Sequence, residues 1–132
     1  MEKPIALKTA ILCTVALLAF TVFQFFLQGS IGIIADTLKE ELDIDAANIS
    51  LLSASFFYFY IALQIPAGFI LDRFGLTRVI TGAVFALGLS CLLFAAASSF
   101  KVALIARMLM GMCASFGFVG MLKGLEQMFS TK

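Results

Sequence analysis

Arg107 is the residue in this sequence that is best placed to do chemistry, because it lies inside a long apolar run. It comes six residues after Lys101, which puts it about 9 Å along a helix from the expected membrane boundary. A cation at such a depth costs a few kcal/mol to insert, so an arginine there usually has a partner or a function. The alternative is snorkelling, in which the long side chain reaches back to the membrane surface. An unpaired guanidinium favours an anionic ligand.

Polar side chains also form stripes along the first two apolar runs. Successive residues of a helix are rotated by about 100°, which puts Gln24 and Gln28 within about 40° of each other, and likewise Tyr60 and Gln64. Lipid offers an amide no hydrogen-bond partner, so we expect both stripes to face other helices or a water-filled cavity. These four residues are therefore candidates for lining a substrate cavity. The alternatives are hydrogen bonds between helices for the first stripe, and packing against another part of a larger protein for the second.

A charged turn bounded by glycines joins the second and third apolar runs. Its pattern is Gly-x-x-x-Asp-Arg-x-Gly followed closely by arginine, and it resembles the signature between the second and third helices of the major facilitator superfamily of secondary transporters. The resemblance implies a charge network that latches the two halves of a transporter in one conformation. The alternative is a plain turn on the positively charged side of the membrane, which would require the arginines but not the aspartate. The gating candidates are Gly68, Asp72, Arg73, Gly75 and Arg78.

The fourth apolar run carries a second resemblance. The segment Arg107-Met108-Leu109-Met110-Gly111 resembles the Arg-x-x-Gln-Gly motif of the same family, with methionine in place of glutamine. This implies that Arg107 faces the interior and takes part in substrate or proton coupling. Further along, small residues share one face and predict close packing of another helix; they are Cys113, Gly117, Gly120 and Gly124. We expect Lys123 to be solvated or to pair with Glu126.

Composition supports these interpretations and excludes other classes of protein. Of the 132 residues, 62% are hydrophobic and 13% are charged, and the mean hydropathy of +1.09 is far above that of a soluble domain. The chain has no histidine and a net charge of +1. We therefore predict a membrane protein with no cofactor, no metal site, no nucleic-acid partner and no enzymatic activity.

The elements that position these residues are four transmembrane helices, predicted at 9–35, 46–71, 79–100 and 102–125. A run of about 20 apolar residues is enough to cross a bilayer. We expect a loop at 36–45, in which Asp43 or Asp45 caps the second helix. The fold class is all-α, and by resemblance residues 1–132 form the first part of the six-helix N-terminal domain of a major facilitator protein.

The distribution of lysine and arginine predicts the orientation. A cytoplasmic N-terminus places six of these residues inside and two outside. The six are Lys3, Lys8, Arg73, Arg78, Lys123 and Lys132. We expect a multi-pass protein of the bacterial inner membrane.

The function predicted is transport of a small solute, an organic anion or another metabolite, by alternating access within a larger permease. Its partners would be the bilayer, the substrate, the remaining transporter helices and a coupling ion such as H⁺, as in a symporter or antiporter. We expect the 132 residues alone to be inactive. Two alternatives fit the length: a non-transporting four-helix assembly or scaffold protein, and a small four-helix drug exporter.

Overall fold

Four helices account for nearly all of the part of the chain that the computed structural model describes, residues 6–129. They are α1 (Leu7–Leu42), α2 (Ala46–Phe74), α3 (Leu76–Ala95) and α4 (Phe100–Phe129). Each is long and apolar enough to cross a membrane. The prediction of an all-α membrane protein is confirmed. Lys3 and Lys132, which entered the orientation argument, lie outside the described residues.

The first helix is longer than its hydropathy predicted, because it ends at Leu42 rather than at 35. The expected loop 36–45 is therefore mostly helical, and the turn that remains is 43–45. Two leucines of this segment, Leu38 and Leu42, pack into an apolar cluster with Ile49. This packing stabilises the segment as a helix despite its many charged residues. Asp43 ends the helix with a positive φ of 50°, and Asp45 caps α2 by accepting a 3.0 Å hydrogen bond from the Asn48 N–H.

The connection between α2 and α3 is a single residue, Gly75. Its φ of 87° is strained for any residue with a Cβ, which explains the glycine, and its N–H donates to the Leu71 carbonyl at 3.0 Å. The turn is thus shorter than the sequence predicted, because the charged residues on either side of Gly75 belong to helices. Asp72 and Arg73 belong to the last turn of α2, and Arg78 belongs to the first turn of α3.

The central helix is α4, which packs against all three others and most extensively against α2. At the α2–α4 crossing the Gly111 backbone meets the backbone of Phe56, and a Cβ at position 111 would overlap the Phe56 carbonyl oxygen. Small residues allow such close contact between membrane helices. Phe56 and Met110 lie in one buried apolar cluster, whereas Leu52 lies in a second, and both clusters flank this crossing.

Gly111→Ala is expected to lower the free energy of unfolding by about 1–3 kcal/mol, the usual cost of overpacking a rigid contact. Thermal unfolding in detergent, followed by helical circular dichroism, measures the change. Gly88→Ala is the matched control, because Gly88 is exposed on α3 and a Cβ there meets nothing within 4 Å. Equal stability of the two variants would show that the α2–α4 crossing is not tightly packed.

Candidate functional site

Arg107 is buried between three helices, with only 1% of its surface exposed. Its Nε donates to the Leu52 carbonyl of α2 at 3.3 Å, and its Nη1 donates to the Leu27 carbonyl of α1 at 3.0 Å. The guanidinium also lies over the Phe56 ring, with Cζ 4.8 Å from the ring centroid. Because the side chain is buried and bonds to carbonyls inside the bundle, the snorkelling alternative is wrong for this structure.

No carboxylate in the described part of the chain pairs with Arg107. Within residues 6–129 the two ion pairs are Lys39–Asp36 and Lys123–Asp72. Among the same residues the Nη2 of Arg107 is buried and has no hydrogen-bond partner. Burial of a charge in a low dielectric is costly when its partners are neutral and one donor nitrogen is unsatisfied. Within the described residues the charge of Arg107 therefore stays uncompensated.

Met110 is one helical turn from Arg107, at the position that carries glutamine in the motif the sequence resembles. Its sulfur lies 3.9 Å from Nη1 of Arg107, and the side chain is 3% exposed. A thioether sulfur is a weak acceptor, so it supplies less to the guanidinium than an amide oxygen would. With methionine at this position, the stronger acceptors for the guanidinium are the carbonyls of α1 and α2.

The glutamines of α1 face other helices to different extents. Gln24 is fully buried, and a Cβ at Gly117 of α4 would lie 2.8 Å from its Oε1. Within the described residues neither amide atom of Gln24 has a hydrogen-bond partner. Gln28 is half-buried. The polar stripe thus turns towards α4 at Gln24, while the predicted cavity role of both residues stays a prediction.

On α2, Tyr60 of the predicted stripe is linked to Arg107 by the ring of Phe56. Tyr60 is half-buried and stacks on Phe56, with ring centroids 6.1 Å apart, and Phe56 in turn lies under the guanidinium. Gln64 is half-buried one turn further along. The described hydrogen bonds of Arg107 go to Leu27, Leu52 and Met110, so no predicted glutamine contacts it directly. Sequence reasoning missed Phe56, whose only signal was its place in an aromatic run.

The gating candidates surround the Gly75 turn. Asp72 forms an ion pair with Lys123 of α4, with the two side chains 66% and 24% exposed. The expected pairing of Lys123 with Glu126 is therefore wrong, because the lysine reaches across to the end of α2 instead. Arg73 lies over the Phe74 ring at 5.7 Å, Arg78 is exposed, and Gly68 is half-buried with open space beside it. Asp72 thus has a partner within these four helices.

The small-residue face of α4 meets side chains of α1 and α3. A Cβ at Gly117 would lie 2.7 Å from the Phe20 ring, and one at Gly124 would lie 2.6 Å from a Leu17 methyl group. One at Gly120 would overlap Ile80. Cys113 is half-buried against the apolar cluster that contains Phe56. These glycines let α1 and α3 approach α4 at the end of the bundle that carries Gly75.

Two substitutions of Arg107 test whether the buried charge stabilises the fold. Arg107→Met is expected to keep the free energy of unfolding within about 1 kcal/mol of the parent or to raise it, since an apolar residue of similar length removes a buried charge. Arg107→Ala is expected to be less stable than Arg107→Met by about 2–5 kcal/mol, because it leaves a cavity. Chemical denaturation of both variants in micelles decides this. A large loss of stability in Arg107→Met would show that the guanidinium itself stabilises the fold.

The Asp72–Lys123 pair is expected to contribute a coupling energy of about 0.2–1 kcal/mol, as partly exposed ion pairs do. A double-mutant cycle with Asp72→Asn and Lys123→Gln measures it, and high salt should reduce it. The parallel cycle with Glu126→Gln is the control and should show no coupling. Coupling to Glu126 but not to Asp72 would contradict the described geometry.

Comparison with known proteins identifies the family. The profile described as Major Facilitator Superfamily matches residues 12–132. The probable galactarate/D-glucarate transporter GudP of Pseudomonas putida is 25% identical, over all of this chain and 30% of its own length. The probable galactarate/D-glucarate transporter GarP of Escherichia coli (strain K12) is 26% identical over 64% of this chain and 19% of its own length.

The chain thus spans about a third of the length of the curated relatives it matches. No solved structure matches it. The family profile covers nearly the whole sequence, including the Gly75 turn and the Arg107 segment that first pointed to this assignment. The chain belongs to the Major Facilitator Superfamily.

Proposed function

We propose that this chain forms part of a permease that moves a small organic anion across a membrane by alternating access. The observation that carries the proposal is the buried guanidinium of Arg107, which has only neutral partners among the described residues and one unpartnered nitrogen. Family membership indicates a non-enzymatic transporter. It also removes the reason for the alternatives, a scaffold protein or a small drug exporter, since neither would match this profile along residues 12–132.

The names of the relatives support the anionic class. Both are described as probable transporters of galactarate and D-glucarate, which are hydroxylated dicarboxylates. A guanidinium presents donors in a planar fork that suits a carboxylate, so Arg107 would take one carboxylate of such a substrate. Gln24, Gln28, Tyr60 and Gln64 remain the proposed cavity residues that would contact the rest of it.

In the described arrangement Arg107 is closed off from solvent, so the anion must gain access by a conformational change. Alternating access supplies such a change, because two bundles rock about a central site. Asp72, Arg73 and Arg78, with the glycines at 68 and 75, are the proposed latch at one end of the bundle. The Asp72–Lys123 pair would keep α2 and α4 together while the halves move.

The proposed orientation places the Gly75 end in the cytoplasm. Arg73, Arg78 and Lys123 lie at this end, whereas Lys39 and Lys101 lie at the ends of helices on the other side. This distribution fits the excess of basic residues on the cytoplasmic side, in a bacterial inner membrane. The acidic residues that the structure describes lie near helix ends, so a proton-coupled cycle would need a titrating acid in the remaining helices.

Arg107 is expected to respond to galactarate and not to galactitol, its uncharged counterpart with the same carbon chain, because local opening of the four helices admits an anion even where the second bundle needed for transport is absent. The probe is the side-chain Nε–H resonance of arginine in ¹⁵N-arginine-labelled protein in nanodiscs. The chain has three arginines, and Arg107→Lys identifies the relevant signal by its loss. Arg73 and Arg78 serve as internal controls for non-specific anion effects. Equal responses to both compounds, or a uniform shift of all three signals, would reject an anion site at Arg107.

The 132-residue chain alone is expected to carry no galactarate into proteoliposomes, because alternating access requires a second bundle. Uptake of radiolabelled galactarate, compared with protein-free vesicles, measures this. Uptake above the vesicle background would show that four helices suffice and would contradict the proposed mechanism.

A further inference from the structure

Each carbonyl that holds Arg107 also accepts a hydrogen bond from a serine three residues further along its helix. Ser30 Oγ donates to the Leu27 carbonyl at 2.8 Å, and Ser55 Oγ donates to the Leu52 carbonyl at 2.9 Å. These are the two backbone oxygens to which Nη1 and Nε of Arg107 donate. Two helices, α1 and α2, therefore present the same arrangement to one guanidinium.

Both carbonyls have more donors than lone pairs. A carbonyl oxygen has two lone pairs, and in mid-helix one of them accepts the N–H four residues on. The serine hydroxyl and the guanidinium must then share the one remaining lone pair. At Leu52 the serine bond has an ordinary length, whereas the 3.3 Å bond from Nε of Arg107 exceeds the usual range for N–H donors. At Leu52 the guanidinium therefore has the weaker share, whereas at Leu27 its 3.0 Å bond and the 2.8 Å bond from Ser30 are both of ordinary length.

Serines that bond back to their own helix are common in this chain, so the back-bond alone is not distinctive. Ser90 donates to the Ala86 carbonyl at 2.7 Å and Ser115 donates to the Met112 carbonyl at 2.7 Å. Both are buried, and Arg107 contacts neither carbonyl in the described structure. What distinguishes Ser30 and Ser55 is that their acceptors are the two that Arg107 uses.

We infer that Ser30 and Ser55 are positioning residues that hold Arg107 loosely, by competing with its guanidinium for the Leu27 and Leu52 carbonyls. When the guanidinium leaves, each serine still satisfies its carbonyl, so little hydrogen bonding is lost on the backbone side. This lowers the cost of transferring Arg107 from the backbone to an anion. The last step rests on the proposed function, whereas the competition itself does not.

The competition is tested without any ligand by Ser55→Ala. In the ¹⁵N-arginine-labelled chain in nanodiscs, removal of the hydroxyl should slow exchange of the Arg107 Nε–H with water by about two- to ten-fold, the effect of one hydrogen bond of ordinary net strength. Ser55→Cys retains a donor at this position, although a weaker one, and its exchange rate should lie between those of the parent and Ser55→Ala. Ser90→Ala and Ser115→Ala remove equivalent back-bonds elsewhere and should leave the exchange unchanged. Unchanged or faster exchange in Ser55→Ala would overturn the inference.

Anion binding is tested separately, with galactarate as the probe. Ser30→Ala and Ser55→Ala should each raise its dissociation constant by about two- to ten-fold, because Arg107 is held more tightly by the backbone. If exchange slows but galactarate binds neither parent nor variants, the positioning role stands and the proposed function fails. If galactarate binds the parent and both alanine variants equally, the positioning role fails while the proposed function stands.

Discussion

A guanidinium inside a membrane bundle depends on the protein for its hydrogen-bond partners, and within the described residues two of the three nitrogens of Arg107 find carbonyl partners there. No carboxylate within residues 6–129 pairs with Arg107, so its donors go to backbone carbonyls of α1 and α2. Carbonyls in mid-helix are reached only if the helices approach closely. Gly111 makes that possible by bringing the α4 backbone onto Phe56. The guanidinium thus lies where three helices meet.

Helix α4 connects this interior charge with the charges at the Gly75 end. Arg107 lies in its first half, and Lys123, which pairs with Asp72, lies near its end. Between them, glycines keep α1 and α3 close to α4. The two charged contacts differ in kind, because the exposed pair is screened by water and the buried guanidinium is not. A movement of α4 relative to α2 would alter both contacts together.

The number of helices could be predicted from the sequence, because hydrophobic length alone decides it. The burial of Arg107 was also predictable in outline, since insertion of a cation demands a partner or a function. Its actual partners were not, because Leu27 and Leu52 are 80 and 55 residues away and any carbonyl could accept. The extension of α1 to Leu42 was missed because its charges resemble a loop, whereas packing against Ile49 and its neighbours stabilises it as a helix. Lys123 was assigned to its sequence neighbour Glu126 because Asp72 is 51 residues distant.

The central claim, that the Arg107 guanidinium rests on neutral carbonyls inside the bundle, can be measured directly in lipid bilayers. Solid-state NMR on a variant with Arg73→Lys and Arg78→Lys, in which Arg107 is the remaining arginine, reports dipolar contacts of its ¹⁵N-labelled side chain. The account predicts contacts of roughly 4 Å to ¹³C-labelled leucine carbonyl carbons, as a hydrogen bond requires, and no dephasing by lipid ³¹P. Strong dephasing by ³¹P without leucine contacts would place the guanidinium at the headgroups and contradict the account.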